Sequence, residues 1–161
     1  MIKTIYLAGG CFRGVEAYFK TIEGVICTQV GYANGDSEET KYEQLKFTGH
    51  AETVKLEFDE NIIDLEKILE YFYYIVDPFS INRQANDIGF QYRTGIFTED
   101  EEDFKFCKDF IKQKQSNEKE KIQIKVEKLK NYIKAEEYHQ DYLYKNPLGY
   151  CHINLNDKPK L

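Results

Sequence analysis

Apolar positions change period several times along this chain, and each change marks an element. Thr4-Ile5-Tyr6-Leu7-Ala8 reads as a strand, and after Gly9-Gly10 the residues Phe12, Val15, Phe19 and Ile22 fall at helical spacing. Val25 to Tyr32 reads as a second strand containing Cys27 as a packing residue, and a polar loop opens across Gly31-Tyr32-Ala33-Asn34-Gly35-Asp36. A short segment around Tyr42 and Leu45 leads to the cleanest alternation, Glu52 to Phe58, with Val54, Leu56 and Phe58 on one face and charge on the other. Asp64 can cap a helix carrying Leu65, Ile68, Leu69, Phe72 and Val76, which Asp77-Pro78 ends. Phe79 to Tyr92 has little apolar periodicity but many polar groups, and Ile88 and Phe90 favour an ordered loop there. Arg93 to Thr98 reads as a strand. The acidic run Glu99 to Asp103 suits the start of a helix holding Phe104, Cys107 and Ile111. Ile122, Ile124 and Val126 alternate as a final strand, Ala135 to Tyr144 as a last short helix, and from Asn146-Pro147 onwards the pattern is irregular.

This order predicts the α+β class: a mixed or antiparallel sheet with helices packed on one face, arranged as a split βαβ (ferredoxin-like) plait. With no repeat or linker to divide it, the chain is expected to form one domain over 1–161, with 145–161 as a mobile tail.

Composition narrows the function. The net charge of −6 and pI near 5.2 make a nucleic-acid partner unexpected. No apolar signal segment or membrane-length stretch is visible, so a cytoplasmic protein without a membrane partner is expected. Cys11, Cys27, Cys107 and Cys151 are too widely spaced for a zinc knuckle, and no metal or cofactor is expected. In a reducing compartment they would be thiols, and any disulfide would be transient.

Chemistry enters at Gly9-Gly10-Cys11. A glycine turn carries the thiol from a strand edge into the first turn of a helix, where free N–H groups and the helix dipole favour thiolate. Gly9 and Gly14 have the outer spacing of a phosphate loop, but Val15-Glu16 stands where Lys and Ser/Thr are required; the dinucleotide pattern fails because Cys11 occupies its second glycine. A cysteine is also a common packing residue, so the thiol by itself does not decide its role.

Four motifs decide more: Gly10-Cys11-Phe12-Arg13-Gly14-Val15-Glu16, Gly49-His50-Ala51-Glu52, Asn82 through Thr94, and Ala135 through Tyr142. In this order they closely resemble peptide methionine sulfoxide reductases of the A type, from about Gly9 to Cys151. The resemblance implies thiol-dependent reduction of methionine S-sulfoxide, free or in oxidised proteins. Cys11 would be the nucleophile and Glu52 the proton donor, its pKa raised by burial. Tyr42 and Tyr92 would hydrogen-bond the sulfoxide oxygen. Asp87 would hold a water or the substrate backbone, and Phe12 would form one wall of the methyl pocket. Attack leaves a sulfenic acid on Cys11, which Cys151 would resolve as a disulfide for a thioredoxin-like reductant to recycle. Cys27 and Cys107 are assigned to the core, His50 and His139 to structural roles, and the protein is expected to be a monomer.

Arg13 departs from the pattern, standing where the family has tryptophan as the second wall of the methyl pocket. A charge there predicts a depressed Cys11 pKa, weaker methyl recognition and a raised KM. Two other functions stay open: a weakly active or non-catalytic sulfoxide-binding or redox-sensing module, and a hydrolase pairing Cys11 with His50 or His139.

Overall fold

The computed structural model describes residues 1–149 and 153–161. Its elements run β1 (Ile2–Gly9), α1 (Phe12–Lys20), β2 (Val25–Ala33), α2 (Leu45–Thr48), β3 (Ala51–Asp59), α3 (Leu65–Ile75), β4 (Arg83–Gln84), β5 (Asp87–Ile88), β6 (Thr94–Thr98), α4 (Glu101–Ser116), β7 (Lys125–Lys128), β8 (Tyr132–Lys134) and α5 (Tyr142–Lys145). Single 3₁₀ turns stand at Tyr42–Gln44, Phe90–Tyr92 and Glu137–His139.

The main sheet has the order β7-β6-β1-β3-β2-β8. Its four central strands are antiparallel at every junction, with β7 added parallel to β6 and β8 antiparallel to β2. Because β3 lies between β1 and β2, and β1 between β3 and β6, the connections through α1 and α3 are split βαβ units. The expected plait is therefore present.

Strand parity fixes the core. Val54, Leu56 and Phe58, with Ile5, Leu7, Val30 and Ile96, pack against Phe12, Val15 and Phe19 of α1, Ile68, Leu69 and Phe72 of α3, and Cys107 and Phe110 of α4. Each such large side chain contributes roughly 1.5–3 kcal/mol on burial. The opposite face carries only a small cluster around Tyr6, Ala8, Ala33, Ala51 and Phe97. Asp64 and Asp100 cap α3 and α4 by accepting the N–H groups of Lys67 and Asp103, at 2.9 and 2.7 Å.

Three expectations need correction. Cys27 is exposed, because a register shift between Val25 and Cys27 bulges β2 and turns this part of the strand outward. Residues 135–144 are not one helix: after β8 the chain forms a 3₁₀ turn, passes through Asp141 at φ +53°, and only then enters α5. The strand expected over Ile122, Ile124 and Val126 begins only at Lys125, as β7, and β8 follows it; Ile122 and Ile124 are buried ahead of β7 without sheet pairing. The C-terminal stretch is tied to the body, with Ile153 and Leu155 packed on the core and Asp157 accepting hydrogen bonds from Tyr18 and Tyr74. Among the described residues, no helix is long and apolar enough to cross a membrane.

Candidate active site

The elbow between β1 and α1 is tight. A Cβ on Gly9 would lie 2.9 Å from Phe72, and Gly10 adopts φ +87°, which other residues rarely enter. Cys11 follows at the N-cap of α1 without making a side-chain cap bond. Burial pushes its thiol up to about 12, and the charges of Glu52 and Asp87 act in the same direction, while the N–H groups of Arg13 and Gly14 oppose it. The helix start thus acts as expected, but burial outweighs it. The depressed pKa expected from Arg13 is not found: burial dominates at the thiol, and the guanidinium stacks 3.6 Å from the Tyr142 ring and donates to His139 Nδ1 at 2.9 Å.

Glu52 is in phase with Val54, Leu56 and Phe58, so a carboxyl stands on the helix-covered face, opposite Tyr32 on β2. Its residue is 1% exposed. Oε1 accepts the Phe12 N–H at 3.3 Å, and Oε2 makes no well-formed hydrogen bond among the described residues. Burial raises its pKa to about 8; the Phe12 N–H, Arg13 and Gln91 pull it down, and Asp87 pushes it up. At neutral pH this carboxyl holds its proton.

Two phenols complete the centre. Tyr42 is held by its own N–H, which donates to Glu136 Oε2 at 3.3 Å, and by its ring against His139. The Tyr42 and Tyr92 hydroxyls lie near enough to influence each other's ionisation, and burial keeps both phenols protonated. Glu52 bears on the ionisation of Cys11, Tyr42 and Tyr92, and Asp87 on that of Cys11, Glu52 and Tyr92. The fold therefore gathers Cys11, Phe12, Arg13, Tyr42, Glu52, Asp87 and Tyr92 from four separated stretches; Cys151 lies outside the described residues.

The loop carrying Asp87 and Tyr92 is organised by groups that periodicity cannot reveal. Buried Gln84 accepts the Asp77 N–H and donates to Asp77 O, Ser80 Oγ and Thr94 Oγ1. Arg93 donates to the carbonyls of Gly49, Phe90 and Asn34 while stacking on Phe90. The β4–β5 hairpin turns through exposed Ala85 at φ +53°, a conformation that penalises a Cβ. Ala85→Gly is expected to stabilise the fold by about 1 kcal/mol. A higher urea midpoint with an unchanged denaturant slope would show it.

The segment between β8 and α5 contributes further positioning groups. Glu136 accepts from the hydroxyls of Tyr32 and Tyr138, and Gln140 pairs with both backbone groups of Val30. Buried Glu16 accepts the Asp141 N–H and the Thr28 hydroxyl. Acidic and amide residues at buried helical or strand positions were the available signal.

Among the described residues, His50 and His139 do not suit hydrolysis as a base for Cys11. His50 spends both ring nitrogens on Thr48 and Ser37. His139 is packed among aromatic rings and bound to Arg13, and burial together with that charge lowers its pKa to about 4.

The family model described as "Peptide methionine sulfoxide reductase" matches residues 3–160. The chain belongs to the peptide methionine sulfoxide reductase family. It is an oxidoreductase that uses a thiol to reduce methionine sulfoxide. It is 51% identical over 158 residues to the peptide methionine sulfoxide reductase MsrA of Ureaplasma urealyticum serovar 10, covering 97% of this chain and 96% of that one. The reduced form of Mxr1 from Saccharomyces cerevisiae superposes with a TM-score of 0.89 at 34% identity, covering 99% of this chain and 93% of that one. Mxr1 in complex with Trx2 gives a TM-score of 0.64 at 26% identity, with coverages of 88% and 84%.

Proposed function

We propose that this reductase acts on the S epimer of methionine sulfoxide, free or in polypeptides, through a Cys11 sulfenic acid. The supporting observation is a buried, protonated Glu52 close enough to act on the ionisation of the Cys11 thiol, with two protonated phenols on which it acts as well. Tyr42 and Tyr92 donate hydrogen bonds to the sulfoxide oxygen and polarise its bond to sulfur. Glu52 passes its proton to that oxygen, and Cys11 gives its own proton to the Glu52 carboxylate as its sulfur attacks. The substrate S–O bond breaks, a bond from oxygen to the Cys11 sulfur forms, and methionine leaves. The substrate sulfur is reduced by two electrons and Cys11 is oxidised by two.

The high thiol pKa is compatible with this route, since the proton needs to leave only when Glu52 becomes a carboxylate able to take it. Asp87 holds a water or the substrate backbone, and Phe12 walls the methyl site, with Arg13 as its imperfect second wall. Cys151 then condenses with the sulfenic acid to give a disulfide and water, and a thioredoxin-like dithiol restores both thiols. The complex of the yeast relative with Trx2 supports that reductant. The cycle requires a reducing compartment, and we place the protein in the cytoplasm as a monomer.

The test is thioredoxin-coupled turnover of each sulfoxide epimer, with free thiols counted before and after exposure to substrate alone. Wild type is expected to use the S epimer and lose two thiols, and Cys151→Ser to form no disulfide. Equal use of the epimers, or a disulfide in Cys151→Ser, would contradict it.

A further inference from the structure

We infer that Arg13 is a carboxylate-binding subsite beside the sulfoxide pocket, so that the enzyme prefers substrates with a carboxylate next to the oxidised methionine. This rests on the reductase reading above. Arg13 lies two residues from Cys11 at the start of α1, and its charge reaches both Glu52 and Tyr42. The guanidinium is fixed rather than free: one face covers the Tyr142 ring at 3.6 Å, and Nη2 donates to His139 Nδ1 at 2.9 Å.

The charge, however, is not neutralised. His139 supplies a neutral lone pair, since its pKa is lowered to about 4. The ion pairs among the described residues all use lysines. Nearby acids are spent elsewhere: Glu16 on the Asp141 N–H and the Thr28 hydroxyl, Asp141 on Lys20, and Glu136 on Tyr32, Tyr42 and Tyr138. A guanidinium presents five N–H donors in a planar fork. Among the described residues, the only one engaged is that to His139, which leaves edges able to receive a carboxylate in two parallel bonds.

There is also room for what carries the carboxylate. Arg13 forms part of the wall of a cavity of about 210 Å³, shared with apolar Ala17, Leu143 and Leu155 and with Glu16, Lys20 and Asp141, which are engaged with other partners. In a chain of net charge −6, an unpaired cation here offers an anionic substrate local attraction that the surface at large does not. The carboxylate could come from the α-carboxylate of free methionine sulfoxide or from an acidic neighbour in a peptide.

Both sources are tested with the full chain by steady-state kinetics on two matched pairs. One pair is free methionine sulfoxide and its amide; the other is two blocked peptides with Glu or Gln beside methionine sulfoxide. Wild type is expected to favour the acidic member of at least one pair by on the order of 10-fold in kcat/KM, mainly through KM. The pair showing the preference identifies the source. Added salt should shrink the ratio, Arg13→Gln should bring it near unity, and Arg13→Lys should retain part of it. Equal values within both pairs, or a preference that survives in Arg13→Gln, overturns the subsite and leaves the reductase standing. Absence of turnover with every substrate overturns the reductase reading, and the subsite with it.

Discussion

Cys11→Ser is expected to abolish methionine sulfoxide reduction while leaving the protein folded. The loss is one of kind, because the oxygen atom must be accepted by an oxidisable sulfur. A serine hydroxyl is a weak nucleophile and would have to become a hydroperoxide to complete the same transfer. Stability should be held or slightly raised, since Cys11 occupies the N-cap of α1 without a cap bond and serine is favoured there. Serine at a cap gains up to about 1 kcal/mol over residues that cannot cap. Turnover assays alongside thermal unfolding check both halves. Retained reduction would remove Cys11 from the chemistry, whereas loss of activity with loss of fold would make the substitution uninformative about the thiol, and Cys11→Ala would then be measured.

Glu52→Gln is expected to lower kcat/KM by on the order of 10²–10⁴-fold, the usual contribution of a positioned general acid. Its amide can still accept the Phe12 N–H but has no acidic proton to give. Wild-type kcat/KM should fall as pH rises through about 8, where Glu52 ionises, and this limb should vanish in the variant. Stability should move the other way. The folded carboxyl holds its proton to about pH 8, against an ordinary value of 4.5, so the unfolded state gains as pH rises through that window. Keeping Glu52 buried therefore costs wild type on the order of 4 kcal/mol by pH 8, and little below pH 4. The glutamine variant should lose less stability between pH 5 and pH 8, as denaturant titration at the two pH values would show. An active variant with an unchanged pH profile would remove Glu52 from the proton transfer.

Much of this arrangement was legible from local pattern. The Gly9-Gly10 elbow placed Cys11 between a strand and a helix, and the strand–helix order gave the plait. Parity alone also put Glu52 on the apolar face of β3, an unusual place for a carboxyl, although only the family motif marked it as an acid. Tyr42 and Tyr92 are fifty positions apart, and their hydroxyls meet through a fold that no window of sequence contains. The hairpin around Ala85 and the strand Tyr132–Lys134 are too short to show a period, and both are held by distant partners. Gln84 and Gln140 read as loop and helix surface because their satisfaction by buried backbone groups is a tertiary fact. The thiol pKa went the wrong way for a similar reason. The helix start could be read from sequence, but the burial that outweighs it and the Tyr142–His139 seat that holds Arg13 could not.

The central claim is that oxygen passes from methionine sulfoxide to Cys11. It is tested most directly by a single turnover of the Cys151→Ser protein with excess S-sulfoxide and no reductant. One equivalent of methionine per chain should appear, together with the mass of one added oxygen on the peptide containing Cys11, which a dimedone-type sulfenic acid trap converts to its thioether adduct with release of water. Methionine formed without oxygen on Cys11, or oxygen found on Cys27 or Cys107 instead, would contradict the account.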